Sequence, residues 1–454
     1  MQEGGKRKGQ MTEARPDKVP EKAKRSGETD NQWDWVEASV WTERMMTALV
    51  EGVKGGRWYS LMDKVYGLPN LRKAFAKVKA NKGAAGVDNQ TIEMMESHLE
   101  SNLERIARSL LEGRYQPREI KRKWIPKAGS KEERPLGIPT VADRVVQTAL
   151  RSVLEPIFEA EFAEHSYGFR PKRGCKDALR RVDELLKAGY TWVVDADLKS
   201  YFDTIPHQRL MELVATKVSD SQVIGLVRSF LKQGVMEGMT SWTPEKGSPQ
   251  GAVISPLLSN IYLDPLDHQM AKARYEMVRY ADDLVVMCRS KEEAERAMAM
   301  VGKWTAEAGL SLHPEKTRVV DAEQRGGFDF LGYHFERGMR WPRPKSLKKL
   351  KDVIREKTKR TNGESLKQVI SKINPQLKGW FEYFKHSHKT TFGSIDGWIR
   401  MRLRSILRKR KGGKGRGRGG DHQRWKNDFF AEQGLFSLAQ AYAEVSQSLG
   451  KVNH

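Results

Sequence analysis

Four carboxylates in two short apolar segments are the residues whose types and spacing could do chemistry. The stretch "RYADDLVV" carries Asp282 and Asp283, and "TWVVDADL" carries Asp195 and Asp197. Ionised side chains are costly to bury, so an apolar strand rarely carries two of them without a partner cation. Side chains alternate along a strand, which puts Asp195 and Asp197 on one face. If this strand pairs with the "RYADDLVV" segment, Asp197 and Asp282 converge.

Converging carboxylates have a specific chemistry available to them. Hard oxygen ligands suit Mg²⁺, which keeps waters and usually shares its shell with substrate phosphates. Two such ions about 4 Å apart can run an in-line phosphoryl displacement, one activating a 3′-hydroxyl and the other stabilising the leaving pyrophosphate. A lone Asp-Asp pair is more often a solvated surface turn, but the second carboxylate-bearing strand argues against that alternative.

The segments around these carboxylates have the patterns of strands and helices. "TWVVDADL" predicts a buried strand, "HQRLMELVATKV" a helix and "YEMVRYADDLVVMCRS" a β-hairpin about an acidic turn. The next helix begins with a capping box of Ser290 and Glu293 and ends at Gly309. Strands follow in "LSLHPEKTRVV" and "FDFLGYHF", and this order predicts an α+β sheet with helices on one face. Upstream, "KRKWIPKAGSKEERPLGIPT" predicts a hairpin with a basic tip.

Positive charge is concentrated in one helical region. Residues 337–418 hold 26 Lys/Arg against 5 Asp/Glu, which accounts for +21 of the total net charge of +23. A polyanion should dock mainly there and bind less tightly as salt rises; a solvated charged surface is the alternative. Within this region "KGGKGRGRGG" (411–420) is typical of a low-complexity linker.

Composition also excludes several classes of protein. The chain has 454 residues, enough for two to four domains. Its two cysteines, Cys175 and Cys288, cannot form a disulfide framework or a Cys-rich zinc site. The N-terminus has no apolar run of the kind found in signal peptides, and no stretch of 18 apolar residues predicts a membrane span. We therefore expect an intracellular protein with no membrane partner.

Six longer motifs together resemble one polymerase family. "YADD", "VVDADLKSYFDTI", "GSPQGAVISPLLSNIYLD" and "FDFLGYHF" resemble successive blocks of reverse transcriptases. With "ERPLGIPTVADRVVQ" and "EHSYGFRPKRGCKDAL", the chain resembles the bacterial group II intron reverse transcriptase/maturases over roughly residues 70–410. "FFAEQGLFSLAQAYAE" resembles their small C-terminal segment. The Cys pairs and metal-binding His of the HNH endonuclease found in many larger relatives are not in the sequence, so we expect the compact type.

The resemblance implies a right-hand polymerase of α+β class, with fingers, a palm bearing the catalytic hairpin, a helical thumb and a small helical DNA-binding segment. The expected division is a polar tail (1–40), an N-terminal extension with fingers (41–190), a palm (191–340), a basic thumb or maturase X domain (341–410), a linker (411–420) and a DNA-binding tail (421–454). Some segments of the fingers are expected to interleave with the palm.

The resemblance also implies roles for the carboxylates and for the residues that meet the incoming nucleotide. Asp197, Asp282 and Asp283 are the expected catalytic residues and ligands of two Mg²⁺ ions, whereas Asp195 has no ligand role and is expected to be structural. The expected nucleotide contacts are Lys127, Arg134, Arg170, Phe202, Gln250, Gly251 and Lys316. Alternatives remain for three of them: a core phenylalanine for Phe202, a structural ion pair for Arg170 and a solvated lysine for Lys316.

Two further sets of residues follow from the same resemblance. Phe330, Leu331 and Gly332 correspond to the primer grip, although "FDFLGYHF" also fits a core strand. The expected RNA contacts in the basic region are Lys348, Lys349, Arg355, Arg400, Arg402 and Arg404. The aromatic residues of "LKGWFEYFKH" are more typical of the core of the thumb than of an RNA-stacking surface.

The function implied is that of an RNA-directed DNA polymerase and maturase of the bacterial cytoplasm, associated with nucleic acid. Its expected partners are group II intron RNA in a ribonucleoprotein, an RNA template with a DNA primer, dNTPs and target DNA. One alternative is a domesticated relative that serves host defence or DNA repair. Another is a splicing factor with an inactive polymerase, which the intact set Asp197, Asp282, Asp283, Phe202 and Gln250 opposes.

Overall fold

The computed structural model describes residues 31–126, 133–361 and 363–452, with helices at both ends of this range and mixed helices and strands between them. The α-helices of these residues are α1 (Glu43–Glu51), α2 (Met62–Tyr66), α3 (Leu68–Ala80), α4 (Ile92–Glu96), α5 (Leu99–Leu111), α6 (Val141–Glu159), α7 (Cys175–Lys187), α8 (Tyr201–Thr204), α9 (His207–Ala215), α10 (Ser221–Leu231), α11 (Ser255–Lys272), α12 (Lys291–Glu307), α13 (Pro344–Lys357), α14 (Leu366–Phe384), α15 (Thr390–Arg410), α16 (Gly420–Arg424), α17 (Asn427–Glu432) and α18 (Leu438–Val452). The strands are β1 (Ile120–Pro126), β2 (Glu133–Ile138), β3 (Trp192–Asp197), β4 (Val235–Glu237), β5 (Thr240–Trp242), β6 (Glu276–Tyr280), β7 (Asp283–Cys288), β8 (Arg318–Asp321), β9 (Phe328–Phe330), β10 (Tyr333–Glu336) and β11 (Met339–Pro342).

The carboxylate-bearing segments are neighbours in one four-stranded sheet of order β6-β7-β3-β8. β6 and β7 form the predicted hairpin, and β3 pairs antiparallel with β7. The register sets Asp197 opposite Asp283 and Asp195 opposite Val285. The predicted pairing of "TWVVDADL" with the acidic hairpin is therefore confirmed.

This sheet is covered on both faces. Val194 and Leu284 belong to a large core that also holds residues of α11 and α12, whereas Val193 and Val285 pack with α7 and with the small sheet β11-β10-β9. Apolar residues on both faces of a strand need cover on both sides. The prediction that helices lie on one face only is wrong for this reason.

A second four-stranded sheet, of order β2-β1-β4-β5, combines two strands that precede β3 in sequence with two that follow it. β1 and β2 pair antiparallel as the predicted basic hairpin, whose connecting residues 127–132 lie outside the described ranges. β4 joins β1 in a parallel pair, although it comes from within the predicted palm range of 191–340. A segment of the predicted palm range thus joins the sheet of the predicted fingers hairpin, and the division into fingers and palm stays a prediction.

The basic C-terminal helices pack about a core of their own. Apolar residues of α13, α14 and α15 form this core, and Trp425, Phe430 and Leu438 are buried in the same cluster. At the start of α18, the Asp396 carboxylate accepts hydrogen bonds from the backbone N–H groups of Leu438 and Ala439 at 3.1 Å each. Residues 421–452 are therefore part of the thumb core rather than the separate tail that the sequence predicts.

No membrane-crossing candidate occurs in the part of the chain described above: none of its helices is both long enough and apolar enough.

Candidate active site

Asp197, Asp282 and Asp283 meet at one end of the β3–β7 ladder. Asp197 ends β3, Asp283 begins β7 directly opposite, and their side chains lie on the same face. Asp282 is in the two-residue turn between β6 and β7, next to Ala281, whose φ of +59° is in the left-handed region. Such backbone strain in a non-glycine residue persists where neighbouring structure enforces it. The three carboxylates predicted to act together are thus brought together.

The electrostatics of this cluster disfavour three negative charges. Burial, followed by repulsion from Asp282, raises the pKa of Asp283 to about 7. Burial likewise raises the pKa of Asp282. The cation nearest to Asp197 is Lys316, whose Nζ lies 2.6 Å from Asp197 Oδ2. A cation bound beside these carboxylates would stabilise their ionised forms.

The donor set fits the predicted Mg²⁺ on chemical grounds. Carboxylate oxygens are the hard ligands that Mg²⁺ takes, usually one or two from the protein with the remainder from water and phosphates. No three His, Cys, Asp or Glu side chains of the described residues form a ready-made metal cluster, so full coordination would need oxygens from elsewhere. Asp197, Asp282 and Asp283 are the residues that would hold the ions. Asp195 instead pairs with Arg318, with its Oδ2 3.6 Å from Nε.

A buried arginine holds the turn that carries Asp282. Arg279 is fully buried, and its Nε donates to Asp267 Oδ1 at 2.8 Å in a bidentate ion pair. Its Nη1 donates to Asn260 Oδ1 at 3.0 Å and to the Ala281 carbonyl at 2.9 Å. No sequence pattern described above predicts this network. A signal for Arg279 was present, because a cation inside the apolar strand of "RYADDLVV" is as costly to bury as the carboxylates beside it.

A close backbone crossing fixes the same turn from the other side. A Cβ on Gly168 would lie 2.1 Å from the Ala281 nitrogen, so only glycine fits there. The Gly168 carbonyl accepts a hydrogen bond from Asn260 Nδ2 at 2.8 Å. Because Asn260 also accepts from Arg279, the segment at Gly168 and the catalytic turn share one set of buried partners.

Phe202 and Gln250 line one cavity of about 380 Å³, between the β2-β1-β4-β5 sheet and the loop after β5. Phe202 follows β3 in the short helix α8 and is half-buried, with its ring centroid 6.5 Å from that of Phe169. Gly251 has φ +105°, and a Cβ there would lie 2.4 Å from the Gly137 carbonyl oxygen. Gly251 thus packs closely on β2, where the Gly137 N–H donates to the Gln250 carbonyl at 2.6 Å. The nucleotide contacts of Gln250 and Gly251 stay predictions.

The cationic residues predicted to contact the nucleotide differ in burial and in their partners. Arg170 is buried, and its guanidinium pairs with the Glu159 carboxylate at 2.8 Å and donates to the Ser166 carbonyl at 2.8 Å. This is the structural ion pair given above as the alternative for Arg170. The predicted nucleotide contact is wrong, because the N–H groups of Arg170 are already bonded to Glu159 and to backbone carbonyls. Arg134 is exposed at the start of β2. Lys127 lies outside the described residues.

The predicted primer grip divides between the core and a cavity. Phe330 is buried in the core, as the core-strand alternative requires. Leu331 and Gly332 form a tight bend, with φ values of +47° and +85°, and they line a cavity of about 640 Å³ between palm and thumb. The residues around this cavity include Asp283, Arg343, Lys349 and Trp380. Arg343, which sequence analysis also missed, is the cation that counters the raised pKa of Asp283.

The predicted RNA contacts differ in exposure. Lys348 and Lys349 are exposed, and Arg400 is half-buried. Arg355 and Arg402 lie against Trp398, with their guanidinium carbons 5.6 and 5.5 Å from the ring centroid.

Arg404 is a correction to the predicted RNA contacts. Its side chain is buried beneath the C-terminal helices, where Nε donates to the Trp425 carbonyl and Nη2 to Asn427 Oδ1, both at 2.9 Å. These groups belong to residues 421–452, whose packing on α15 the sequence does not predict. Arg404 therefore holds that segment on the thumb and does not face RNA.

Comparisons with known proteins show the family of the chain. Residues 125–335 match the family model for reverse transcriptase (RNA-dependent DNA polymerase), and residues 347–425 match the group II intron, maturase-specific domain. Protein YkfC of Escherichia coli (strain K12) is 34% identical over 306 residues, covering 59% of this chain and 80% of YkfC. The chain belongs to the group II intron-encoded reverse transcriptase/maturase family. As a member of this family it is an RNA-directed DNA polymerase of a metal-dependent class.

Other relatives of this maturase family match a smaller part of their own length. The group II intron-encoded protein LtrA of Lactococcus lactis subsp. cremoris is 36% identical over 214 residues, covering 47% of this chain and 35% of LtrA. Among solved structures, telomerase from Candida albicans in complex with a fragment of telomeric RNA gives a TM-score of 0.42 at 14% identity, covering 79% of this chain and 71% of that one. A TM-score this low supports no inference about function.

Proposed function

We propose that this maturase binds its group II intron RNA, assists splicing and copies RNA into DNA at a target site by two-metal nucleotidyl transfer. The observation that carries the polymerase part is the β3–β7 register, which sets Asp197 opposite Asp283 beside the turn of Asp282. The basic thumb, with its match to the maturase-specific domain, supports the RNA-binding part. The substrates are dNTPs and an RNA template with a DNA primer, in the bacterial cytoplasm.

The carboxylates act by holding positive charge where the reaction needs it. Two bound Mg²⁺ ions supply activation of the primer 3′-hydroxyl and neutralisation of charge on the departing pyrophosphate. Asp197 and Asp282 would hold the ions, and Asp283 would add a third carboxylate on the side of the palm–thumb cavity, which it lines. Lys316, held 2.6 Å from Asp197, is placed to donate a proton to the leaving pyrophosphate.

Phe202 selects the sugar of the incoming nucleotide in this proposal. A rigid ring beneath the sugar clashes with a 2′-hydroxyl and admits a 2′-hydrogen. The ring makes T-shaped contacts with Phe169 and Tyr201, with centroids at 6.5 and 5.5 Å, and these contacts restrict its rotation. Gln250, across the same cavity, would contact the nucleotide.

Phe202→Ala is expected to raise the use of ribonucleotides. Removing the ring opens space for the 2′-hydroxyl, so the preference for dNTP over NTP in kcat/KM should fall roughly ten- to a hundredfold. Single-nucleotide extension with dGTP and GTP on one primer–template measures the ratio. The kcat with dGTP is the internal control and should change less than about tenfold. An unchanged ratio would assign Phe202 to the core and not to sugar selection.

Template-dependent extension is the test of the proposed function. The purified chain, an RNA template, an annealed DNA primer and dNTPs with Mg²⁺ should give full-length cDNA. Excess EDTA should abolish the product, and added Mg²⁺ should restore it. Addition of the precursor of the flanking intron, if ribozyme domains surround the reading frame, should give faster splicing at low Mg²⁺ with the chain than without it. Extension without any effect on splicing would favour a domesticated role, and absence of extension by a folded, RNA-binding chain would refute the polymerase.

A further inference from the structure

The glycine-rich segment (411–420), predicted as a low-complexity linker, is packed against the thumb helices. The backbone N–H of Gly417 donates to Ser405 Oγ at 3.1 Å, and Arg360 Nη1 donates to the Gly415 carbonyl at 3.0 Å. Arg408 Nε donates to the Lys414 carbonyl at 2.9 Å. The segment therefore follows α15 and reaches the end of α13, where it has a defined position.

Glycine is required at one point of this path. A Cβ on Gly417 would lie 2.7 Å from the Arg404 Cβ and 3.4 Å from its carbonyl carbon, so any larger residue would push the segment off α15. Arg416 immediately precedes this contact. The close approach of Gly417 to α15 thus fixes the backbone position from which the Arg416 side chain extends.

Arg416 contributes to a cavity of about 360 Å³ that is lined with guanidinium groups. The described residues that line it include no Asp or Glu. The polar groups around it are those of Arg355, Arg360, Arg402, Arg416, Thr358 and Ser405. Four guanidinium groups around one cavity form a set of donors that suits an anion with several acceptor oxygens. The hydroxyls of Thr358 and Ser405 already donate to the carbonyls of Ile354 and Met401. Arg355 also pairs with Asp352, so Arg360, Arg402 and Arg416 carry most of the donor capacity.

Contacts within the fold hold these cations in place before any ligand arrives. Arg402 Nε donates to Thr358 Oγ1 at 2.6 Å, and its guanidinium lies 5.5 Å from the Trp398 ring centroid. Arg355 lies 5.6 Å from the same centroid. Burial, followed by repulsion from Arg355 and Arg360, lowers the pKa of Arg402. Like charges held this close are relieved by a bound anion.

We propose that this arginine-lined cavity binds a backbone phosphate of the RNA on which the protein acts. The proposal rests on the proposed function, which supplies the RNA. RNA rather than a free anion is indicated because the cavity lies in the region of 337–418, which carries +21 of the net charge of +23 and whose larger part matches the maturase-specific domain. A polynucleotide engages many such cations at once, whereas a free phosphate engages only the cavity.

A matched pair of substitutions tests whether RNA binding depends on the arginines of the cavity or only on the total positive charge. Arg416→Gln removes a cavity donor, and Arg418→Gln removes an exposed arginine two residues away that does not line the cavity. The probe is a fluorescein-labelled 30-nucleotide oligouridylate, whose Kd is measured by anisotropy at several KCl concentrations. Arg416→Gln should weaken binding roughly tenfold and reduce the slope of log Kd against log salt by about 0.7, the value for one lost contact to a single strand. Arg418→Gln should change Kd less than about twofold.

A third variant separates the effect of the position of the glycine-rich segment from the effect of its positive charge. Gly417→Ala keeps every arginine but displaces the segment, so it should weaken binding nearly as much as Arg416→Gln. Thermal melting checks that each variant is folded. Equal effects of Arg416→Gln and Arg418→Gln, or none from Gly417→Ala, would refute the cavity and leave general electrostatic attraction.

The source of the phosphate and the polymerase itself are tested separately. Inorganic phosphate, titrated at constant ionic strength, should not displace the oligouridylate; displacement would assign the cavity to a free anion instead. Arg418→Gln, which leaves the cavity intact, should extend primers at the wild-type rate. Failure of the wild type to extend would therefore count against the proposed function, whereas wild-type extension with equal binding by both arginine variants would count only against the cavity.

Discussion

Asp282→Asn is expected to lower template-dependent dNTP incorporation at least about a thousandfold. The substitution removes one negative charge from the cluster of Asp197, Asp282 and Asp283 while keeping the size and shape of the side chain. Charge stabilisation by a bound metal contributes several kcal/mol to a phosphoryl-transfer transition state, and about 1.4 kcal/mol corresponds to each factor of ten in rate. Single-turnover extension of an RNA-templated DNA primer measures the loss.

The matched control for this change lies on the same sheet. Asp195→Asn makes the same substitution on the same face of β3, two residues from Asp197, but at a carboxylate that pairs with Arg318. It should cost less than about tenfold in rate, because a partly exposed ion pair contributes about 1 kcal/mol or less. Equal losses in both variants would show that the effect comes from general electrostatics of the sheet and not from metal binding by Asp282.

Arg279→Met is expected to destabilise the palm by about 3–5 kcal/mol. It leaves the Asp267 carboxylate buried without a cation, the situation in which breaking one partner of an ion pair is most costly. It also leaves the Ala281 carbonyl and Asn260 Oδ1 without their donor. Native-state hydrogen exchange of the β6 and β7 amides measures the change as the free energy of opening of this sheet.

A double substitution separates the stability of Arg279 from its positioning role. Arg279→Met with Asp267→Leu removes both buried charges, and it should recover at least about 2 kcal/mol relative to Arg279→Met alone. In both the single and the double variant the Ala281 carbonyl lacks its donor, so we expect the turn that carries Asp282 to be displaced. The kcat of both variants should therefore be about 10- to 100-fold below that of the wild type. Recovery of kcat together with stability would refute the positioning role and leave Arg279 as a purely structural cation.

The parts of the fold that the sequence predicts depend on local signals. Ser290 caps α12, and the chain turns at Gly309 with φ +68°, because a hydroxyl before a helix and a glycine after it act within a few residues. Period-two alternation likewise puts Asp195 and Asp197 on one face of β3 and indicates the pairing with the acidic hairpin, whereas the register that sets Asp197 opposite Asp283 comes from the structure. Each of these depends on neighbours in sequence or on one strand pairing.

The parts that the sequence does not predict depend on distant segments. In the sequence, Arg170 and Arg404 cannot be distinguished from arginines that face solvent. In the structure, carbonyl and carboxylate groups of other elements surround both side chains. Likewise, the position of residues 421–452 depends on the apolar face that α15 offers. A single sequence gives no information about which far segment supplies a partner, so burial of a polar side chain is the property that sequence patterns describe least well.

The shared core of the thumb and residues 421–452 limits how this protein can be divided. Trp425, Phe430 and Leu438 are buried against α14 and α15, so a cut at the glycine-rich segment (411–420) would expose apolar surface on both sides. Grafting the C-terminal helices of a relative onto this thumb would have to bring the matching face of α15 with it. The thumb helices and the C-terminal helices are thus one structural module, and neither can be exchanged without the other.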